Sequence, residues 1–369
     1  MLENKTINQH FISQEEQRVN AKPDDRGRIY KFSIVDRDKP VIQLFGDRGV
    51  TIKNNLTHDD LFTFDRQGEI RRNLERLFGK YENRGSQAVE TLRHKTNFPT
   101  REVAIGNVAY DSNLFRLVFE IWSLKFLNIW RNPHGVKKFL NTFPVSNFPY
   151  PRDPYLRECF RQIDAQAEDE VKEILTAFDL NPAEYTLWRK GLLRLLMQDT
   201  GDQRQCQWSE NLFDELAYDL LIDKRRFCAI ELHYLTQDFP GRFVLSDRSY
   251  FYGREPRDPS QSFSFNLTGQ IAMTFGSLER TEVFSEVVKN DPRIASCPKE
   301  LINESANEIA GRLQFRVIRN NEAEAARFNE RTIFQAKESV FCSQKSVIGS
   351  TVQRPPKERC ATETLTVAS

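Results

Sequence analysis

The sequence predicts an α+β protein, with a mixed or antiparallel sheet formed by N-terminal and C-terminal strands and a mainly helical middle. Three observations predict it. Apolar and polar residues partly alternate over 28–45, the apolar period becomes helical from about residue 69 to 222, and strand-like runs return from 227 onward. Strands followed by helices and then strands argue for α+β rather than a regular βαβ winding, and the chain contains no internal repeat.

Residues 8–20 form a compact, polar opening segment, and 22–27 a turn with Pro23 and Gly27. Residues 28–34 and 41–45 read as strands, the second ended by Gly46. Ile70, Leu74, Leu77 and Tyr81 then fall on one helical stripe with Glu75 and Glu82 beside it, and Ala88, Val89 and Leu92 mark a second helical stretch. Residues 114–130 are apolar nearly all round, interrupted by Arg116, Glu120, Lys125 and Asn128, and read as a buried helix that Asn132-Pro133-His134-Gly135 ends. Pro144, Pro149, Pro151 and Pro154 mark the best internal boundary. Helices are expected over 155–178, 184–197 and 211–222, then strands over 227–235 and 242–245 and a strand pair over 262–267 and 270–275. A helix over 300–313, a strand over 314–318, a helix over 322–334 and a short element over 337–342 complete the series. Past Ser343 the composition turns to Ser, Thr, Gln, Lys, Arg and Pro. The organisation read from this is a single globular unit over 1–342, with room for a helical subdomain over 111–224, and a disordered tail over 343–369.

The 369 residues carry 53 Lys plus Arg against 52 Asp plus Glu, a net charge of +1 that argues against a general electrostatic grip on nucleic acid while leaving room for local basic patches. One such patch is Lys224-Arg225-Arg226, which equally suits a helix C-terminus. No apolar run reaches the roughly 18 residues that cross a bilayer, and the opening residues lack the apolar core of a secretory signal, so a cytoplasmic protein without a membrane partner is expected. The six cysteines are scattered with no Cys-x-x-Cys pair, which predicts neither a structural zinc site nor a disulfide framework.

Phosphate-loop, dinucleotide-binding, nucleophile-elbow and zinc-helix signatures are absent. Three places carry chemistry instead. His10 stands in a dense polar segment with Gln14 four residues on; imidazole serves as general base or metal ligand, and Gln14 can orient it. The plainer account is a segment packed by Phe11 and Ile12. Ser246 and Asp247 end a strand, where a catalytic carboxylate is well mounted and where a backbone cap is equally at home. Glu75 and Glu82 can together hold a hard divalent cation, or simply pair with the basic residues around them.

Taken in order, these motifs resemble a large bacterial family of uncharacterised proteins. Its members open with His, an aromatic, an aliphatic, Pro and then Gln or Arg, followed by a Leu-Arg-Asn-Phe-like run. Here Ser13 stands in the Pro position and that run is missing. The acidic helix with Glu75 and Glu82, the long apolar helix ending at Arg131 and the late strand ending in Ser246-Asp247 also match, although Arg248-Ser249 follows where the family often has Pro. The resemblance spans about residues 8–342, and more distantly the chain is similar to killer proteins of satellite bacteriophages. It implies a growth-inhibitory, toxin-like effector of phage or prophage origin, or an anti-phage defence component, in the cytoplasm of a bacterial host. Within that reading His10 is general base or metal ligand, Gln14 its orienter and Asp247 a second acid or metal ligand, with Ser246 and Glu75 as additional candidates. Nucleic acid is the expected substrate of a nuclease-like hydrolase, a divalent metal the compatible cofactor, and an antitoxin-like protein the neutralising partner. The alternative is a non-catalytic binding or sensor module in which His10 and Asp247 are structural.

Overall fold

The computed structural model describes residues 2–67, 70–94, 101–104, 113–143, 145, 150–199, 210–222, 226–253, 261–279 and 312–354. The chain opens with β1 (Asn8–His10) and the short helix α1 (Gln14–Arg18), then β2 (Arg28–Asp36), β3 (Val41–Leu44) and β4 (Val50–Thr51). β5 (Thr57–Asp59), β6 (Thr63–Gln67) and β7 (Ile70–Asn73) lead into α2 (Glu75–His94). After β8 (Arg101–Ala104) the helical middle follows as α3 (Asn113–Arg131), α4 (Val136–Thr142), α5 (Pro154–Ala165), α6 (Glu168–Phe178), α7 (Pro182–Leu196) and α8 (Leu212–Ile222). The C-terminal part comprises β9 (Arg226–Tyr234), β10 (Leu245–Ser246), β11 (Phe251–Gly253), β12 (Gln261–Thr268), β13 (Ile271–Glu279), β14 (Arg312–Arg319), α9 (Glu322–Gln335), β15 (Ser339–Cys342) and β16 (Thr351–Gln353).

The strands assemble mainly into two mixed sheets, so the α+β expectation holds. In the first, of order β10-β15-β2-β3-β16 with β4 also on β2, N-terminal and C-terminal strands lie side by side. The second has the order β11-β12-β13-β9-β14-β8, with β14 parallel to β9 and the other neighbours antiparallel. Alternation is the reason for the first sheet: Tyr30, Phe32 and Ile34 on β2 pack with Ile42 and Leu44 on β3 in one core, while Ile29, on the opposite face of β2, joins the main apolar cluster.

Helix α3 is the centre of the molecule. Trp122 packs its ring, tilted by 35°, against Phe275 of the second sheet at 4.6 Å between centroids and donates its Nε1–H to the Ala217 carbonyl at 2.9 Å. Helix α2 crosses it closely because Gly85 has no side chain: a Cβ there would lie 2.5 Å from Leu124 Cβ. One apolar cluster runs from Leu2 through α3 and α7 to Phe275 and Phe341, so the helical middle shares its core with the sheets.

Several boundaries differ from the sequence reading, each for a physical reason. Ile70 belongs to β7, paired with β6, and α2 begins only at Glu75, whose N–H is capped by Asn73 Oδ1 at 3.1 Å. The helix expected over 155–178 is two helices, because Gln166 and Ala167 are extended and the acidic run Glu168-Asp169-Glu170 suits a fresh N-terminus. Of the strand expected over 242–245 only Leu245 is in β10; Val244 N–H is taken by the Asn329 side chain at 3.0 Å instead of by a ladder partner. Residues 343–354 of the expected tail belong to the fold, since Val347 is buried with Phe32 and Ile42 and β16 adds parallel to β3. Residues 355–369 lie outside the described residues, as do 300–311 of the expected helix over 300–313, whose last residues open β14, and Lys224 and Arg225 of the basic patch. Cys159 and Cys342 are buried free thiols, each pushed up to about 11 by burial. Among the described residues no helix is long and apolar enough to cross a membrane.

Candidate functional site

β1 pairs antiparallel with β5, His10 opposite Thr57, and this fixes the backbone of the N-terminal segment. At Ser13 the chain turns into α1, the Ser13 hydroxyl accepting the Glu16 N–H at 3.2 Å. The segment is held by polar groups turned inward. Glu16 is buried and pairs with the equally buried Lys125 Nζ, and its second oxygen accepts from Asn128 Nδ2 at 2.6 Å. Burial opposes its charge, but the Lys125 ammonium prevails and keeps the Glu16 carboxyl below its ordinary value. Gln17 bonds the Ile12 and Asn55 carbonyls, both at 3.1 Å, and Asn20 reaches Asn266 on β12 at 2.8 Å.

Between this segment and α2 lies a cavity of about 590 Å³, within the range of small-ligand sites. His10, Gln14, Glu75 and Glu82 line it together with Asn8 and Ser13. His10 sits on a strand and Gln14 at the start of α1, so they meet through the turn at Ser13 rather than along one helix face. Gln14 Oε1 accepts from Arg18 Nη2 at 2.7 Å.

His10 is 8% exposed, and its Nε2 lies 3.4 Å from the Ile52 carbonyl oxygen. A carbonyl can only accept, so Nε2 carries the proton and Nδ1 is left as the basic nitrogen. Burial lowers the imidazole pKa; the Ile52 bond raises it and the Arg131 charge lowers it further, and the net shift is downward. His10 is therefore neutral at pH 7.

Glu75 behaves in the opposite sense. Its Oε1 is buried without a hydrogen-bond partner among the described residues, and burial pushes its carboxyl up to about 7 despite the nearby Arg131 charge. Glu82, two turns along α2, has its own counter-ion: Arg131 Nη1 lies 2.6 Å from its Oε1. Arg131 is fully buried at the end of α3, and its Nε and Nη2 have no hydrogen-bond partner among the described residues. One cavity thus holds a neutral imidazole and a carboxyl that keeps its proton close to neutrality, beside a buried guanidinium. That combination provides a general base and a general acid at the same pH.

Asp247 and Ser246 are not among the cavity's lining residues. The Asp247 carboxylate accepts the N–H groups of Lys337, Glu338 and Ser339 at 2.7, 2.6 and 2.9 Å, and its carbonyl accepts from Asn132 at 2.8 Å. It clamps the turn between α9 and β15, the cap reading of a strand-end acid. Ser246 lies in β10 opposite Val340. Among the described residues no group of three or more His, Cys, Asp or Glu side chains is placed to hold a metal ion.

Sequence reasoning missed Arg131 and the Glu16–Lys125–Asn128 network as parts of this region. The signal was present: Lys125, Asn128 and Arg131 recur every third residue on the largely apolar second half of the helix, a polar stripe that has to find partners once buried. Comparison with models of known families, with curated proteins and with solved structures finds no match.

Proposed function

We propose that the chain is a growth-inhibitory, toxin-like effector of phage or prophage origin whose cavity performs nuclease-like acid–base cleavage. His10 is the base and Glu75 the acid; Gln14, tied to Arg18, shapes the wall beside them. The single observation that carries the chemistry is that His10 and Glu75, whose Oε1 is buried without a hydrogen-bond partner among the described residues, line one cavity, where burial lowers the imidazole and pushes the carboxyl up to about 7. The cellular setting, with an antitoxin-like neutralising partner, rests on the resemblance of the His10–Gln14 and Ser246–Asp247 motifs.

The test is growth of bacteria under tight induction of wild type, His10→Ala and Glu75→Gln, with folded protein matched by circular dichroism. Arrest by wild type and growth with both variants supports the reading. Equal arrest by all three contradicts it. A second reading, a binding or sensor module, is favoured by the occupied side chains of the motif: His10 is bonded to Ile52 and Gln14 to Arg18. It predicts that both variants keep full effect.

A further inference from the structure

A second cavity, of about 570 Å³, adjoins the first. The two share Glu15, Arg18, Ser86 and Glu90 as lining residues, so they lie side by side along α1. Their charge differs. The first is lined by the acidic Glu75 and Glu82, the second by cations that outnumber its acids.

Ion pairing decides which of those cations carry uncompensated charge. Lys125 is neutralised by Glu16, Arg18 by Glu15 at 3.2 Å and Arg93 by Glu90 at 3.5 Å. Lys22 is paired with Asp24 at 3.5 Å. Two remain. Arg26 is exposed and has no carboxylate partner among the described residues. Arg242 is held rigid by carbonyls, those of Gly241 and Gln237 at 2.6 and 2.9 Å, which fix its direction without cancelling its charge. These two belong to the second cavity alone, as does Lys22. An acid–base chamber thus lies beside a track of positive charge.

We infer that this track takes the sugar–phosphate backbone of a single RNA strand, with the linkage to be cut lying in the His10–Glu75 cavity. The inference rests on the acid–base reading above and names its substrate. A single strand is required because His10 is nearly covered and a duplex cannot enter a cavity of this size. RNA fits the groups on hand because it supplies its own nucleophile, so one base and one acid complete the reaction. His10 Nδ1 takes the 2′-hydroxyl proton, the 2′-oxygen forms a bond to phosphorus, the bond from phosphorus to the 5′-oxygen breaks, and Glu75 gives that oxygen its proton. The products are a 2′,3′-cyclic phosphate and a 5′-hydroxyl. His10 leaves protonated and Glu75 ionised, and proton exchange with water restores both. No aromatic side chain lines the track, so it grips backbone rather than bases and sequence preference is weak.

The experiment uses the full chain and a fluorescent, mixed-sequence single-stranded RNA oligonucleotide. Anisotropy is read against salt on the His10→Ala protein, to prevent turnover, with and without Lys22→Glu and Arg26→Glu. The inference expects a log–log salt slope of about −1.4 from two phosphate contacts, and about tenfold or greater weakening by the charge reversals. It also expects wild type to leave cyclic-phosphate ends and to bind, but not cut, the all-2′-deoxy oligonucleotide. Binding untouched by the reversals while His10→Ala abolishes cleavage overturns the track and spares the acid–base site. RNA held through the track but left whole by wild type overturns the acid–base reading. Equal cutting of the deoxy strand overturns the 2′-hydroxyl as nucleophile.

Discussion

Glu75 and Glu82 line one cavity from adjacent stretches of α2, yet the buried Arg131 forms its ion pair with Glu82, and Glu75 Oε1 is left buried without a hydrogen-bond partner among the described residues. The same helix therefore presents a compensated carboxylate and a strained one. The strained one is the group a general acid requires.

This asymmetry has a cost in stability that depends on pH. The Glu75 carboxyl titrates at about 7 when folded against an ordinary value of 4.5, so between these values the folded chain holds a proton that the unfolded chain releases. Stability from this group falls as pH rises through that window and is lowest above 7. Glu75→Gln is expected to gain on the order of 1–3 kcal/mol at pH 8 and close to nothing at pH 4.5, read by urea denaturation. His10 works in the other direction: its lowered pKa gives stability that is complete above its ordinary value of 6.5 and lost as pH falls below it.

Asp247 is expected to be a stability residue. Asp247→Ala strands the three N–H groups of Lys337, Glu338 and Ser339, which costs about 3 kcal/mol. Thermal melts should show a clear loss in Tm, while growth arrest per unit of folded protein stays at the wild-type level. Arrest abolished at unchanged Tm would return Asp247 to the chemistry.

The Glu16–Lys125 pair anchors the cavity's N-terminal wall. Lys125→Met leaves a buried carboxylate unpaired and is expected to destabilise by about 3–5 kcal/mol. Adding Glu16→Gln removes the stranded charge and should recover most of that loss, since the amide can still meet Asn128. Denaturant titration of the single and double variants checks this, and no recovery would mean that packing rather than charge holds the segment.

Much of the fold was legible because it rests on local periodicity. The alternation in β2 and β3, the strand pair β12–β13 around Thr268-Gly269 and the stripe of α9 all follow from spacing alone. Boundaries failed where a tertiary partner intervened, as at Val244, whose N–H goes to Asn329 on a distant helix. In the cavity, His10, Gln14 and Glu75 stood out by residue type, and the structure lines one wall-to-wall space with them. What spacing could not show was which carboxylate Arg131 would choose, or that Glu16 would turn inward to Lys125, because both contacts join segments far apart in the chain.

The most direct measurement is the NMR titration of the His10 imidazole and the Glu75 carboxyl in the folded full-length chain. The account predicts that Glu75 titrates at about 7 and His10 below 6.5, so that a neutral base and a protonated acid coexist between the two values. Glu75 titrating at its ordinary 4.5 would contradict it, because the cavity would then hold no acid at the pH where His10 is a base.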